Sequence, residues 1–211
     1  ISARVPGPDA HFLINPFGLL FEEMTASSLL KVNLAGELIG KSDHPFNPAG
    51  FVVHSAVHAV RHDAGCVLHL HSPCGAAVSA QAEGLVPLTQ HAMVFHGKLA
   101  YHTYEGIALE LDERARLQAD LGAKNAMILR NHGTLTVGAT VAEAFQRMYW
   151  LERACAAQVA ALAGDAKSRA LVIPSRGCPH HCTYCTAPQY YGKRLRKRSP
   201  EKIADELAAI E

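Results

Sequence analysis

The sequence has no long apolar run, no targeting signal and almost no net charge. None of its hydrophobic stretches approaches the roughly 18 residues that a membrane-spanning helix needs. The N-terminus, ISARVPGPDA, has neither an initiator Met nor a basic segment followed by an apolar one. The 20 Lys and Arg residues nearly balance the 19 Asp and Glu residues, which gives a formal charge of +1. The sequence therefore predicts a chain without a membrane segment.

Cysteine is scarce and unevenly placed. Of the six Cys in 211 residues, Cys66, Cys74 and Cys155 are scattered, and the other three stand close together in CPHHCTYC at 178–185. This distribution differs from the dense disulfide framework of small secreted proteins. It predicts a protein of the reducing cytoplasm.

The composition changes towards the C-terminus. Residues 168–211 contain eight Lys or Arg and four Asp or Glu, so the preceding residues contain 12 basic and 15 acidic side chains. Between the two parts, AGDAKSR has the small and polar residues of a linker. We therefore predict a main domain over 1–164, a linker over 165–169 and a second segment over 170–211.

Strand and helix patterns alternate in the main domain. Apolar and polar residues alternate in AGCVLHLHSP, and NAMILRNHG is a short apolar run that ends at a glycine. Thr140 and Glu143 form a capping-box pattern that starts a helix continuing to Gly164. These two strands span 64–73 and 125–133, and two further helices are predicted over 50–62 and 110–121. This order predicts an α/β domain.

Two histidines lie two positions apart in the first of these strands. Side chains two apart on a strand point to the same face, so His69 and His71 can converge on one ion. His132 ends the other apolar strand and is the best candidate for a third ligand. Three neutral imidazoles leave one tetrahedral position open, as in catalytic zinc sites. The alternative is a pair of polar residues on a solvated strand face, because 13 His residues make chance pairs common.

Three long segments resemble one known family. NPAGFVVHSAVHAVRHDAGCVLHLHSP, LAYHTYEGIALELDERARLQADLGAKNAMILRNHGTLTVG and TVAEAFQRMYWLERACAAQVAAL are together similar to the class II aldolase/adducin family, over about residues 1–163. The resemblance implies an α/β/α sandwich that lacks an N-terminal helical segment here and that assembles as a ring of four when complete.

The resemblance also implies functional residues and a small-molecule substrate. Zinc or a similar divalent metal would be held by the three histidines already identified. Thr25, in MTASS, would match a phosphate-binding position, and Tyr101 would match a tyrosine that protonates a leaving group in the neighbouring subunit's site. For Tyr101 the alternative is a packed residue at a subunit interface.

One position departs from the family's lyases. Those enzymes carry a Glu general acid/base four residues before the histidine that matches His54, where this chain has Gly50. The surrounding AGFVVHSA is similar to the adducin-like branch, whose animal members are non-enzymatic. The expectation is thus either a lyase acting on small hydroxy-carbonyl or sugar-phosphate substrates, with Glu105 as a substitute base, or an adducin-like binding module. His54, His58 and His62 recur at helical spacing and are expected at solvated or interface positions.

The C-terminal segment has a different resemblance. Its C-x3-C-x2-C spacing and the sequence RSPEKIADEL resemble the cobalamin-binding branch of radical S-adenosylmethionine enzymes. This implies a 4Fe-4S cluster on Cys178, Cys182 and Cys185 that binds S-adenosylmethionine. The segment provides one βα unit of a barrel that needs several, so we expect a non-functional fragment in a chimera.

Two alternatives remain for this segment. One is a zinc knuckle that includes His180 or His181, and the other is that the radical enzyme determines the function of the whole chain. The basic run GKRLRKR lacks interleaved aromatic residues and is expected to be a solvated loop rather than a nucleic-acid contact.

Overall fold

A computed structural model describes residues 1–107, 111–163, 175–176, 196–197, 199 and 201–202. The chain forms two compact units, Ile1–Leu162 and Ala163–Glu211. The linker predicted over 165–169 and the cluster ligands predicted at Cys178, Cys182 and Cys185 lie outside the described residues.

The first unit is built on a seven-stranded mixed sheet. Its strands are β1 Ser2–Arg4, β2 Phe12–Ile14, β3 Leu30–Val32, β4 Cys66–Leu70, β5 Leu99–His102, β6 Ala126–Leu129 and β7 Gly133–Gly138. They lie in the order β3-β2-β1-β4-β7-β6-β5. Only β5 and β6 pair in parallel, and all other neighbours are antiparallel.

Five α-helices accompany the sheet. They are α1 Pro48–Val60, α2 Pro73–Ser79, α3 Gln90–Phe95, α4 Glu113–Leu121 and α5 Val141–Ala163, and two short 3-10 helices span Phe21–Glu23 and Ala26–Ser28. The amide side chain of Asn47 caps α1 by accepting hydrogen bonds from the backbone of Ala49 and Gly50. The three helices predicted from the sequence correspond to α1, α4 and α5. Within the described residues, no helix is both long and apolar enough to cross a membrane.

The helices cover both faces of the sheet. Val53 and Val57 of α1 and Leu117 of α4 pack with the strands on one face. Ala144 and Met148 of α5 pack against Cys66 and Leu68 on the opposite face. The first unit therefore has helix, sheet and helix layers, as the resemblance implied, and β4 lies between helices on both sides.

The strand predicted over 125–133 was only partly right. It contains β6, but the chain turns at Asn131, whose φ of 54° is in the left-handed region. It then returns as β7, antiparallel to β6. All six residues of β7 are buried, although its sequence, GTLTVG, alternates threonine with apolar residues.

The prediction that His54 and His58 lie at solvated or interface positions was wrong. Both belong to α1 and are almost fully buried, with 3% and 1% of their surface exposed. Their partner is Ser2 of β1, whose hydroxyl lies 2.7 Å from Nδ1 of His54 and 2.8 Å from Nε2 of His58. A hydroxyl both donates and accepts, so one serine can pair with one ring nitrogen of each neutral imidazole. His62, in contrast, is exposed.

These buried histidines make the folded chain sensitive to acid. Burial and the nearby Arg4 charge lower the pKa of His58 to about 3, whereas an unfolded histidine titrates near 6.5. The free energy of unfolding is therefore unaffected by His58 above about pH 6.5. As the pH falls from there towards 3, it decreases by up to about 1.4 kcal/mol per pH unit. We expect His58→Gln to reduce the pH dependence of the free energy of unfolding by about this slope.

The measurement is urea unfolding with chelator present at several pH values between 7.5 and 4.5. His62→Asn is the matched control, because that side chain is exposed at the end of the same segment. Equal pH slopes for His58→Gln and the parent chain would contradict the role given to the buried imidazole.

Few residues of the second unit are described. Ser175–Arg176 forms a strand, β8, that pairs in antiparallel fashion with β9, Arg196–Lys197. The hydroxyl of Ser199 accepts a hydrogen bond from the backbone of Lys202, at 3.3 Å. This contact is typical of a residue that caps the start of a helix.

Candidate metal centre

Strand β4 presents two of the predicted ligands on one face of the sheet. Val67 packs into the core beneath α1, while Leu68 packs against α5 on the other side. Because side chains alternate along a strand, His69 lies on the α1 face. His71 follows the last residue of β4 and carries its ring to within 4.7 Å of the His69 ring, centroid to centroid.

The third histidine is placed by the turn between β6 and β7. The backbone N–H of His132 donates to the hydroxyl of Ser79 at 3.1 Å, and the N–H of Asn131 donates to the carbonyl of Ser79, also at 3.1 Å. Ser79 ends α2 and is 1% exposed. The helix that follows His71 therefore fixes the turn that carries His132.

The three rings bring their Nε2 atoms together. The Nε2 atom of His69 lies 2.9 Å from that of His71 and 3.3 Å from that of His132. Ligands on one tetrahedral zinc ion, each about 2.0 to 2.1 Å from it, lie about 3.3 to 3.4 Å apart. Among the residues that the structure describes, this is the only group of three or more His, Cys, Asp or Glu with such convergence.

A backbone carbonyl selects the tautomer of the central ring. Nδ1 of His69 lies 3.0 Å from the carbonyl oxygen of Thr134 in β7. Since a carbonyl only accepts hydrogen bonds, Nδ1 must carry the proton. The lone pair is then on Nε2, the atom that faces the other two rings.

All three imidazoles have a lowered pKa and are neutral near pH 7, although His71 is more exposed than the other two. Burial is the main cause that lowers the pKa of His69 to about 3 and that of His132 to about 4, and the neighbouring rings lower both further. Burial also lowers the pKa of His71. Neutral imidazole is the form that binds a metal ion, so the donor set fits zinc or a similar divalent cation.

Gly133 allows the rings to approach this closely. A Cβ at this position would lie 2.3 Å from the carbonyl oxygen of Leu70 and 3.1 Å from Cδ2 of His71. Any other residue would push the end of β4 away from the start of β7. The glycine after His132 is thus a steric requirement of the site.

Gly50 lies at the same end of the sheet as the three histidines. Only five residues join α1 to β4, so the helix and the strand run in opposite directions. His54 contacts Ser2, and Ser2 is paired with Val67. Gly50 lies one helical turn, about 6 Å, before His54, and His69 lies about 6.6 Å beyond Val67 along β4. Because the helix and the strand run in opposite directions, both steps lead towards the same end of the sheet.

Tyr101 and Thr25 make no hydrogen bond to the histidine cluster. The hydroxyl of Tyr101 accepts one from the backbone of Leu85 at 3.1 Å, beside a cavity of about 270 Å³ that Leu85 also lines. Thr25 is exposed and precedes a short 3-10 helix, with its hydroxyl 3.0 Å from that of Ser27. The catalytic and substrate-binding roles assigned to these residues remain predictions.

The carboxylate of Glu105 forms an ion pair. Its carboxylate contacts the guanidinium of Arg116 through both oxygens, at 2.6 to 2.8 Å. The hydrogen bonds from Arg116 lower the pKa of Glu105 below its usual value. Glu105 is therefore a weaker candidate for a proton acceptor than its sequence position suggested.

Fold and site together define an α/β domain with a three-histidine cluster whose geometry suits a metal ion. The family model described as Class II Aldolase and Adducin N-terminal domain matches residues 1–159. The chain belongs to this family.

Bacterial and animal proteins are both similar to this chain. A Caulobacter vibrioides protein that bears an aldolase class 2 name is 63% identical over 162 residues, which cover 77% of this chain and 63% of that protein. Alpha-adducin of Rattus norvegicus is 46% identical over 180 residues, covering 84% of this chain and 24% of its own length. The chain thus spans less than two thirds of either relative.

A solved structure of an enzyme is also similar. L-fuculose 1-phosphate aldolase from Glaciozyma antarctica is 29% identical, with a TM-score of 0.69 over 99% of this chain and 70% of the enzyme.

Proposed function

We propose that the first unit binds a divalent metal ion, zinc or a similar one, and acts as a slow lyase on small hydroxy-carbonyl or sugar-phosphate substrates. The observation that carries this proposal is the convergence of three neutral Nε2 atoms from His69, His71 and His132. Three protein ligands leave a coordination position for a substrate oxygen, which structural zinc sites do not.

The chain's own residues supply orientation more than acid/base chemistry. A metal ion held here would act as a Lewis acid that polarises a substrate carbonyl. The hydrogen bond from Nδ1 of His69 to Thr134 holds that ring in place. A general base is the missing component, because Gly50 has no side chain where the family's lyases use Glu. General bases contribute about 10² to 10⁴ in rate, so turnover should be slow.

Two further residues belong to this proposal. The exposed hydroxyl of Thr25 would bind a substrate phosphate, and Tyr101 would donate a proton to the leaving group of a small-molecule substrate in a homotetramer. The similarity to L-fuculose 1-phosphate aldolase supports sugar phosphates as the substrate class. Cys66, Cys74 and Cys155 are free thiols, which agrees with a cytoplasmic location.

A non-enzymatic, adducin-like binding module is the second candidate. Gly50 favours it, as does the similarity to alpha-adducin over 84% of this chain. In this case the histidine cluster would be present in a domain that catalyses no reaction.

A third candidate concerns the C-terminal segment. Its three-cysteine spacing supports an iron-sulfur fragment of the radical S-adenosylmethionine type, carried by Cys178, Cys182 and Cys185. These residues lie outside the described part of the chain. The proposal for them rests on their sequence alone.

Elemental analysis of the purified 211-residue chain, prepared with and without oxygen, tests these candidates. We expect about one zinc per chain after equilibration and dialysis. Iron with sulfide in the anaerobic sample alone would support the iron-sulfur candidate. Absence of any bound divalent metal after equilibration with Zn(II), Mn(II) or Co(II) would contradict the proposed metal centre.

A further inference from the structure

Glu152 of helix α5 contacts both chain segments that carry the metal ligands. One carboxylate oxygen accepts a hydrogen bond from the hydroxyl of Ser72, the residue after His71. The other lies 3.0 Å from the hydroxyl of Thr134. Thr134 is also the residue whose carbonyl orients His69. A single carboxylate thus joins the segments of two ligands.

The direction of these hydrogen bonds follows from the surrounding donors. The hydroxyl of Ser72 accepts from the backbone N–H of Gly75 at 3.0 Å, so its own proton is free to point at Glu152. The hydroxyl of Thr134 has the carboxylate at 3.0 Å and the sulfur of Met148 at 3.4 Å. A carboxylate is the stronger acceptor, so both hydroxyls donate to Glu152. An amide in its place cannot accept through both ends.

The backbone of Gly75 approaches the carboxylate of Glu152 closely. A Cβ on Gly75 would lie 2.8 Å from a carboxylate oxygen of Glu152 and 2.8 Å from the Ser72 hydroxyl. Gly75 must therefore lack a side chain because the carboxylate of Glu152 occupies that space. Gly133 must lack one because β4 and β7 approach each other closely.

Among the described residues of the first unit, no cationic side chain forms a salt bridge with Glu152. Three neutral imidazoles bring no negative charge to a divalent cation. The carboxylate of Glu152 contacts Ser72, next to His71, and Thr134, whose carbonyl accepts from His69, so it would supply part of that charge from behind these two ligands.

We propose that Glu152 is a positioning residue of the metal centre, which fixes the two ligand-bearing segments and places negative charge behind them. This inference rests on the metal site proposed above. Partners that orient metal ligands change metal affinity by about 10- to 100-fold when they are replaced. The alternative is that Glu152 only attaches α5 to the sheet.

The test compares Glu152→Gln with Glu143→Gln in the full chain. Glu143 is the matched control, because its carboxylate lies on the same helix and contacts Arg147 and the backbone of Ala139 instead. We expect Glu152→Gln to bind Zn(II) about 10- to 100-fold more weakly and to alter the absorption spectrum of bound Co(II). The control should stay within about twofold of the parent chain. Glu152→Asp keeps the negative charge but has a shorter side chain, so its Zn(II) affinity should lie between those of Glu152→Gln and the control.

A second readout uses the metal-free chain. Nitrogen-15 NMR of the imidazoles should show the Nδ1–H tautomer of His69 in the parent chain and a mixture of tautomers in Glu152→Gln. If Glu152→Gln shows this change of tautomer but the parent chain binds no metal, the metal proposal fails and the positioning role stands. If Glu152→Gln folds, keeps the tautomer and binds Zn(II) like the parent, the inference is overturned.

A further variant covers the case in which Glu152→Gln does not fold. Gly75→Ala leaves Glu152 in the sequence but displaces its carboxylate. It should weaken Zn(II) binding in the same range, about 10- to 100-fold. Parent-like affinity and parent-like His69 tautomer in Gly75→Ala would overturn the inference as well.

Discussion

Replacing His69 by Ala is expected to weaken Zn(II) binding by about 10² to 10³. Zinc sites with four protein ligands bind with about 10 to 16 kcal/mol, or roughly 3 kcal/mol or more per ligand. His69 is the central ligand, since its Nε2 lies within 3.3 Å of both other Nε2 atoms. Without it, His71 and His132 are left as a two-ligand site with no fixed geometry.

Competition with a chromophoric chelator would measure this affinity. His91→Ala is the matched control, because His91 is exposed and lies outside the cluster. His71→Ala is a second variant that removes an exposed ligand and spares the core. Unchanged Zn(II) stoichiometry and affinity in both ligand variants would disprove the three-histidine site.

The convergence of His69, His71 and His132 could be predicted from the sequence because their pattern is local. Two histidines in an alternating strand share a face, and a histidine before a glycine at the end of an apolar run marks a turn. The structure brings all three together as predicted. The capping box at the start of α5 was equally local, and the backbone of Glu143 does donate to the hydroxyl of Thr140 at 3.1 Å.

The residues that support the ligands could not be predicted in this way. Ser79 meets the backbone of His132 from 53 positions away, and Ser72 meets Glu152 from 80 positions away. Neither pair leaves a periodic signal in the sequence. The same reason explains the error for His54 and His58, because their partner Ser2 comes from a three-residue strand that is too short to show alternation.

Gly50 is the position where the sequence departs from the lyases and where the structure allows a direct test. A Cβ on Gly50 would contact only Asn47, at 3.7 and 3.9 Å, which is ordinary van der Waals contact. The residue lies in the first turn of α1 with helical geometry. A Cβ is therefore accommodated there, and replacing a helical glycine stabilises a helix by about 0.5 to 1 kcal/mol.

We expect Gly50→Glu to raise retro-aldol turnover of small sugar phosphates by about 10² to 10⁴ over the parent chain, with metal bound in both. The carboxylate would emerge one helical turn beyond His54, at the end of the sheet where the three histidines converge. There it restores a proton acceptor beside a carbonyl that a bound metal polarises. Gly50→Gln is the matched control, since it has the same size and the same helix-stabilising effect but no basic oxygen.

The outcomes of this comparison distinguish a lyase from a non-enzymatic binding module. A gain with Glu and none with Gln supports a lyase that lacks only its base. Equal turnover in the parent chain and Gly50→Glu would mean that another group accepts the proton, and Glu105→Gln would then show whether Glu105 does so despite its ion pair with Arg116. No cleavage by any metal-loaded variant would count against the lyase and favour the binding module. In that case the histidine cluster would hold a metal for a purpose other than carbon-carbon bond cleavage.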